Sequence, residues 1–484
     1  MRNIIILIAK NLFLICIAIS SIRAEWKTAF TLKSSFGVYS GLKNESFTDT
    51  LDQFIGNWYA LRIDHETALS YENVPDLLEF IVSSRVDSTW HLYYHFNMRR
   101  DIEAWYQDNL GNNLFTLDND FDINIPFHFF LRYSVEPVSF KVGRFPQKFG
   151  FSPTRGVAIS GSPWYDAIKS SIVLGPVSYQ DFFASLNPYL TGAPGSPGYY
   201  LSNTEWAIQS TAPLATQRYR VYNEMSKSLI VQRLNIQYKS FQFAAMESMV
   251  LGGKYPTLRD VNPFMMWHNL FQNGYVNEII SLECKYNFSP QFNIYSEIAF
   301  DDLIGGTEDK YTSSNIYAVL AGGQFYHAFK GSETTFGIEW ISTDDNYGTY
   351  DLPLLNWTSR QVYRSNFRQK GTPDFSDMYI IDYPIGYFRG NGSNDIWINF
   401  NWENQKLSIN SSFGFLNKKY SNENDSLLIE DEEVRFEYRF NYIISTIFQL
   451  NAGGYYRNIP DHSTLLFPFD NWGISLGTNA KLDW

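Results

Sequence analysis

The sequence predicts an all-β protein: a transmembrane antiparallel β-barrel of the outer membrane, with about eighteen strands and a range of about sixteen to twenty. Three observations carry this. Apolar and polar residues alternate over many stretches of roughly ten residues. No apolar run long enough for a spanning helix follows the N-terminal segment. Short turns and long loops alternate along the chain, as such barrels require.

The alternation is clearest at the C-terminus. One face reads Ile474, Leu476, Thr478, Ala480, Leu482 and Trp484; the other reads Gly473, Ser475, Gly477, Asn479, Lys481 and Asp483. A tilted strand of about 9–11 residues crosses a bilayer, one face to lipid and the other to a wet lumen. Ending on an aromatic, this strand resembles the signal that outer-membrane barrels present to their insertion machinery, which makes that machinery an expected partner through Trp484.

The same period recurs upstream. Trp90, Leu92, Tyr94, Phe96 and Met98 alternate with His91, Tyr93, His95, Asn97 and Arg99. Ile280 to Phe288, Phe292 to Phe300 and Val434 to Tyr442 behave likewise. The strands expected lie near 55–64, 78–86, 89–98, 121–133, 138–145, 165–174, 177–186, 229–238, 241–250, 279–288, 292–301, 316–329, 333–342, 395–402, 406–415, 434–442, 447–457 and 472–484. Residues 28–40 are a further candidate, and 343–394 has room for a pair. Short turns such as Asp87-Ser88, Leu174-Gly175-Pro176 and Lys330-Gly331-Ser332 belong to the periplasmic side, which sends Thr191 to Asn203, Gly252 to Asn277 and Asn422 to Glu433 outside.

Composition agrees. Of 484 residues, 18% are aromatic and only 18% charged, below the roughly 25% of soluble domains. The net charge of −12 makes a phosphate-backbone partner a poor fit, so nucleic acid is excluded as an expectation. Mean hydropathy of −0.26 excludes a helical membrane protein. Arg2 and Lys10, the apolar run Leu12 to Ile19 and the small residues Ser20, Ser21 and Ala24 read as a signal peptide over 1–24. A short periplasmic segment over 25–54 and a barrel over 55–484 complete the expected organisation. Cys284 alone remains after cleavage, so no internal disulfide forms.

No catalytic motif is present: no HExxH, GxSxG or GxxxxGK[ST]. An enzyme and a cofactor are therefore not expected. His91 and His95 have metal-like spacing only on a helix; on a strand four residues span about 13 Å. The lumen faces mix signs (Glu79, Arg85, Arg132, Lys141, Glu297, Asp301), which suggests cross-strand pairs bracing the wall. The alternative is sugar binding, with carboxylates and arginine on hydroxyls and Trp164, Tyr165 and Trp267 stacking on rings. Asp301 and Asp302, beside a loop with Glu308-Asp309, offer oxygens for a hard cation, although the spacing fits no known calcium loop. His268 and His462, with Asp260 and Asp461 nearby, are the only hints of a hydrolase.

Several segments in order resemble the capsule-assembly family of outer-membrane barrels, the Wzi-like group. They are Val142-Gly143-Arg144 with Gly150, Ile159-Ser160 and Pro163-Trp164-Tyr165-Asp166; Arg233-Leu234 with Phe243 and Glu247; Asn262-Pro263-Phe264 with Asn277; and Tyr295, Glu297, Asp301 and Asp302. Phe149 and Gly161-Ser162 depart from the family pattern. The resemblance implies an eighteen-stranded barrel that binds and organises surface polysaccharide without catalysis, in contact with outer-membrane lipid. Val142 to Gly150 is also similar to a stretch of phosphate-type porins, so a substrate-specific porin or diffusion channel is the alternative. The candidate ligand-binding set is Arg144, Trp164, Tyr165, Asp166, Glu247, Asn262, Trp267, His268, Glu297, Asp301 and Asp302.

Overall fold

The computed structural model describes residues 26–40, 53–55, 58–63, 71, 76–102, 104, 110–115, 121–122, 124, 127–187, 226–252, 255–258, 260–262, 276–302, 315–349, 355–364, 378–421, 428–445, 447–458 and 471–483. The expected signal peptide and Trp484 fall outside them. The strands are β1 (Trp26–Ser40), β2 (Gln53–Ile55), β3 (Trp58–Ile63), β4 (Leu78–Val86), β5 (Trp90–Met98), β6 (Leu110–Asn112), β7 (His128–Val135), β8 (Val138–Phe145), β9 (Tyr165–Leu174), β10 (Val177–Leu186), β11 (Lys227–Tyr238) and β12 (Phe241–Gly252). They continue as β13 (Val276–Ser289), β14 (Phe292–Asp302), β15 (Ile316–Phe329), β16 (Ser332–Thr343), β17 (Thr358–Arg364), β18 (Met378–Pro384), β19 (Ser393–Asn404), β20 (Leu407–Ser421), β21 (Leu428–Ile443), β22 (Phe448–Asn458) and β23 (Asn471–Asp483).

Eighteen of these close into one antiparallel barrel, with β1 as the seam between β23 and β4. The short β6 extends the outer end of β1, pairing Val38 with Asn112. Closure satisfies every strand edge, the condition for crossing a bilayer on strands. The apolar face of each strand points outward: Trp90, Phe140, Ile294, Phe336, Phe415, Phe440 and Leu476 are all exposed there. In water this would be an untenable apolar patch; around a barrel it is the lipid-facing band. Tight turns gather at one end, the periplasmic end in this class. Lys330-Gly331, both at positive φ, join Phe329 to Ser332, the two-residue turn whose twist matches the strands.

Two expectations about membership change. The expected periplasmic segment over 25–54 loses its first part to the barrel: Trp26–Ser40 is a wall strand, zipped to β23 from Ala29↔Asp483 to Tyr39↔Gly473. The barrel thus begins before residue 55. The expected strand near 55–64 leaves the wall instead, because β3 pairs in parallel with β18 in a separate four-stranded sheet, β17-β18-β3-β2. Both WYALRI and the β1 sequence alternate, so periodicity alone cannot choose between them; the length of the ladder to the C-terminal strand does. The pair suspected within 343–394 exists, as β17 and β18, but in that second sheet. The wall strand expected over 121–133 begins at His128, and Phe121 makes only an isolated bridge to Arg100.

Candidate functional site

The chain leaves β8 at Phe145, enters the lumen and returns to β9 at Tyr165. Phe149, Val157 and Ile159 of this inserted loop are buried against wall residues Phe182, Val231 and Ala299. Two wall carboxylates fasten it. Glu297 accepts the backbone N–H groups of Val157 (3.3 Å) and Ala158 (2.9 Å). Glu339 accepts hydrogen bonds from the Ser152 and Thr154 hydroxyls, from Tyr295 (2.9 Å) and from Arg155 Nη1 (2.9 Å). Arg155 lies 3.7 Å from the Trp397 ring centroid, so its charge is neutralised on one side and packed on the other. Gly150 makes the approach possible: its φ is +109°, and a Cβ there would stand 2.8 Å from Glu297 Oε2.

A second inward segment, between β16 and β19, locks the first. Tyr347 donates to the Val157 carbonyl (3.0 Å), Trp357 Nε1 to the Ala158 carbonyl (3.0 Å), and the Ser160 and Gly161 amides to the Ile385 carbonyl (2.8 and 3.1 Å). Burial pushes the Tyr347 hydroxyl well above its ordinary pKa, and the Asp301 and Glu297 charges push the same way. Lys148 donates to the Ser152 carbonyl. Burial lowers its pKa against the pull of Glu339, Glu297 and Glu283. Nearby, Arg233 forms a bidentate pair with Glu283 (2.8 and 2.6 Å), while Arg389, Arg435 and Arg457 converge on Glu433 at 2.7, 2.9 and 2.8 Å. Paired charges thus surround the filled outer lumen, as the mixed signs suggested.

Beneath and beside this plug lies a chamber of about 1030 Å³. Its wall on β19 to β23 is rich in neutral amides and hydroxyls: Asn399, Asn401, Asn410, Asn441, Asn451, Ser475 and Asn479. Some bond one another, as Asn451 and Asn479 do at 2.9 Å. Amides both donate and accept, the pairing capacity that hydroxyl-rich ligands need. At its edge Asp76, Glu79 and His95 place one ligand atom each within 4.8 Å of one another. Glu79 Oε2 is already shared by Lys33 and His95, both at 2.9 Å, and Asn97 donates to Asp76, so the group is a hydrogen-bonded cluster. His91 turns elsewhere, to Ser83 Oγ at 2.9 Å, consistent with two separate histidines.

The candidate residues do not form one site. Glu297 and Asp301 face the lumen and hold loops, Asp301 Oδ2 accepting the Gly348 amide at 2.7 Å. Tyr165 is buried edge-on against Phe182 rather than offered to a ligand. Trp164 is buried between Phe127 and Tyr363, with Arg144 5.4 Å from its ring. Arg144 and Asp166 form a bidentate pair, both bonds 2.8 Å, on the outer face of the wall beside exposed Val142 and Ile168. Glu247 also faces outward, opposite Gln232, which donates to the Asn262 carbonyl (2.9 Å) of a loop lying against the outside of β11 to β13. The reason is parity: Arg144 follows Phe140 and Val142 on one face, and Glu247 follows Phe243 and Ala245. Trp267, His268 and His462 and the side chain of Asp302 lie outside the described residues. The residues that sequence reading missed are Ser152, Thr154, Arg155 and Glu339; the signal available was a carboxylate set between the apolar Ile338 and Trp340 in the middle of a strand.

No protein-family model matches the chain, and no curated protein is significantly similar to it. Solved structures are. Wzi of Escherichia coli, described as an outer membrane protein involved in group 1 capsule assembly and a carbohydrate-binding β-barrel, is 13% identical; the match covers 97% of this chain and 87% of that one, with a TM-score of 0.51. OccAB4 of Acinetobacter baumannii (12% identical, 96% and 99% covered, TM-score 0.42) and OpdK of Pseudomonas aeruginosa (8%, 95% and 99%, 0.42) are also similar. At these identities the likeness is one of fold. The closed eighteen-stranded wall, its lipid-facing band and this shared architecture make the chain an outer-membrane β-barrel.

Proposed function

We propose that the protein is a non-enzymatic binding barrel for surface polysaccharide. The observation that carries this reading is a filled outer lumen above a chamber whose wall on β19 to β23 is rich in amides and hydroxyls, with Glu437 and Arg439 among them. A plug welded by buried ion pairs is a poor gate for free diffusion, whereas amide-rich walls suit ligands made of hydroxyls. Wzi is described as a carbohydrate-binding barrel, and the residues resembling that family here position the plug (Gly150, Ile159, Glu297). The test is retention of capsular or lipopolysaccharide glycans on an array by the purified, folded barrel; a folded protein that retains none refutes the reading.

The second reading, a substrate-specific porin, is favoured by the size of the chamber. Stable single-channel steps in a planar bilayer would support it over the first.

A further inference from the structure

Six wall strands in succession place a basic side chain at the same rung of the ladder. Lys27 stands opposite Arg85, Arg85 opposite His91, His91 opposite Arg132, Arg132 opposite Lys141, and Lys141 opposite Lys169. Directly opposed residues share a face. The flanking residues Trp90, Phe140 and Ile168 point to lipid, so this row points into the lumen.

The row differs from the charges around it. Six residues along β1 from Lys27, Lys33 donates to Glu79 at 2.9 Å, and Arg233 and Arg155 have their own glutamates. Among the described residues no carboxylate pairs with any of the six. Lys141 rests over the Phe130 and Phe145 rings at 3.9 and 3.8 Å, and Lys169 donates to Gln147 Oε1 at 3.1 Å. Like charges set directly opposite one another oppose folding, so bracing the wall does not account for them. The row begins beside the first residue of β1, at the short-turn mouth, and climbs with the tilt of the strands to Gln147, on the underside of the plug. Five steps of about 4.8 Å give a track of roughly 24 Å. Walls of one sign are how pores select ions of the other.

We infer that the row Lys27, Arg85, His91, Arg132, Lys141 and Lys169 is a binding track for an acidic glycan, one that carries carboxylate or phosphate groups along its length, entered from the short-turn mouth. This rests on the polysaccharide reading above and adds the charge of the ligand. The amide wall of β19 to β23, which adjoins the row through the pairing of β23 with β1, takes the hydroxyls of the same chain.

Calorimetric titration of the full-length barrel in detergent tests it, with oligogalacturonate, a neutral dextran oligosaccharide of equal length and inorganic polyphosphate as probes. Oligogalacturonate is expected to bind in preference to dextran and to weaken as salt rises. The double variant Arg132→Gln, Lys141→Gln should lower its affinity about tenfold or more, while Lys285→Gln, a lumen lysine off the row, should leave it unchanged. Neutral replacements remove repulsion, so the double variant is expected to fold; an unchanged urea midpoint checks this. Equal binding of both glycans, unaltered in the double variant, overturns the charge assignment while the polysaccharide reading stands. Binding of neither glycan overturns both. Polyphosphate binding without oligogalacturonate binding overturns the glycan as the source of the anions.

Discussion

The outer and inner halves of the lumen are built on opposite rules. In the outer half Glu297, Glu339, Glu283 and Glu433 each meet a matched partner, and apolar side chains close around them. In the inner half, a row of basic side chains without carboxylate partners among the described residues runs from β1 to β9, and a wall rich in amides on β19 to β23 borders the chamber. The contrast teaches where this barrel keeps stability and where it keeps capacity. Buried charges survive only when compensated, so the plug is structural. Wet, one-signed charges cost stability, so the row is there for something outside the chain.

The largest expected effect lies in the plug. Glu339→Ala leaves Arg155 and three hydroxyls without their acceptor. Breaking such a buried pair costs about 3–5 kcal/mol. The expected outcome is release of the loop, read as tryptic cleavage after Arg155; a variant as protease-resistant as wild type would break the comparison. Gly150→Ala comes next. It forces a side chain into φ +109° and against Glu297 Oε2, for roughly 1–3 kcal/mol, seen as a lower urea midpoint.

In the inner half the sign reverses. Arg132→Gln should leave the urea midpoint unchanged or raise it, by at most about 1 kcal/mol, because only repulsion is lost. A clear loss of stability would mean that the row braces the wall after all. Smallest is Arg144→Ala. Its pair with Asp166 is half exposed on the outer face, where such pairs contribute about 0–1 kcal/mol, and glycan binding should not change.

Much of this architecture is legible in the sequence. Period two assigns faces along β5, β13, β14, β21 and β23, because lipid on one side and water on the other leave no compromise. The strand total agrees, yet its membership does not: Trp26–Ser40 enters the wall and Trp58–Ile63 leaves it. What recruits β1 is eleven pairings with a strand more than four hundred residues away. The candidate site shows the same limit. Parity alone would have set Arg144 and Glu247 on the lipid side, apart from Glu297. The basic row, by contrast, is invisible in any single strand, since each contributes one basic side chain to it and only the register aligns them.

Planar-bilayer recording of wild type beside Glu339→Ala tests the filled outer lumen most directly. The account predicts a wild-type barrel without large stable steps and a variant that gains them when Arg155 and its loop come free. Large, stable steps from the wild-type barrel, no different in the variant, would contradict it.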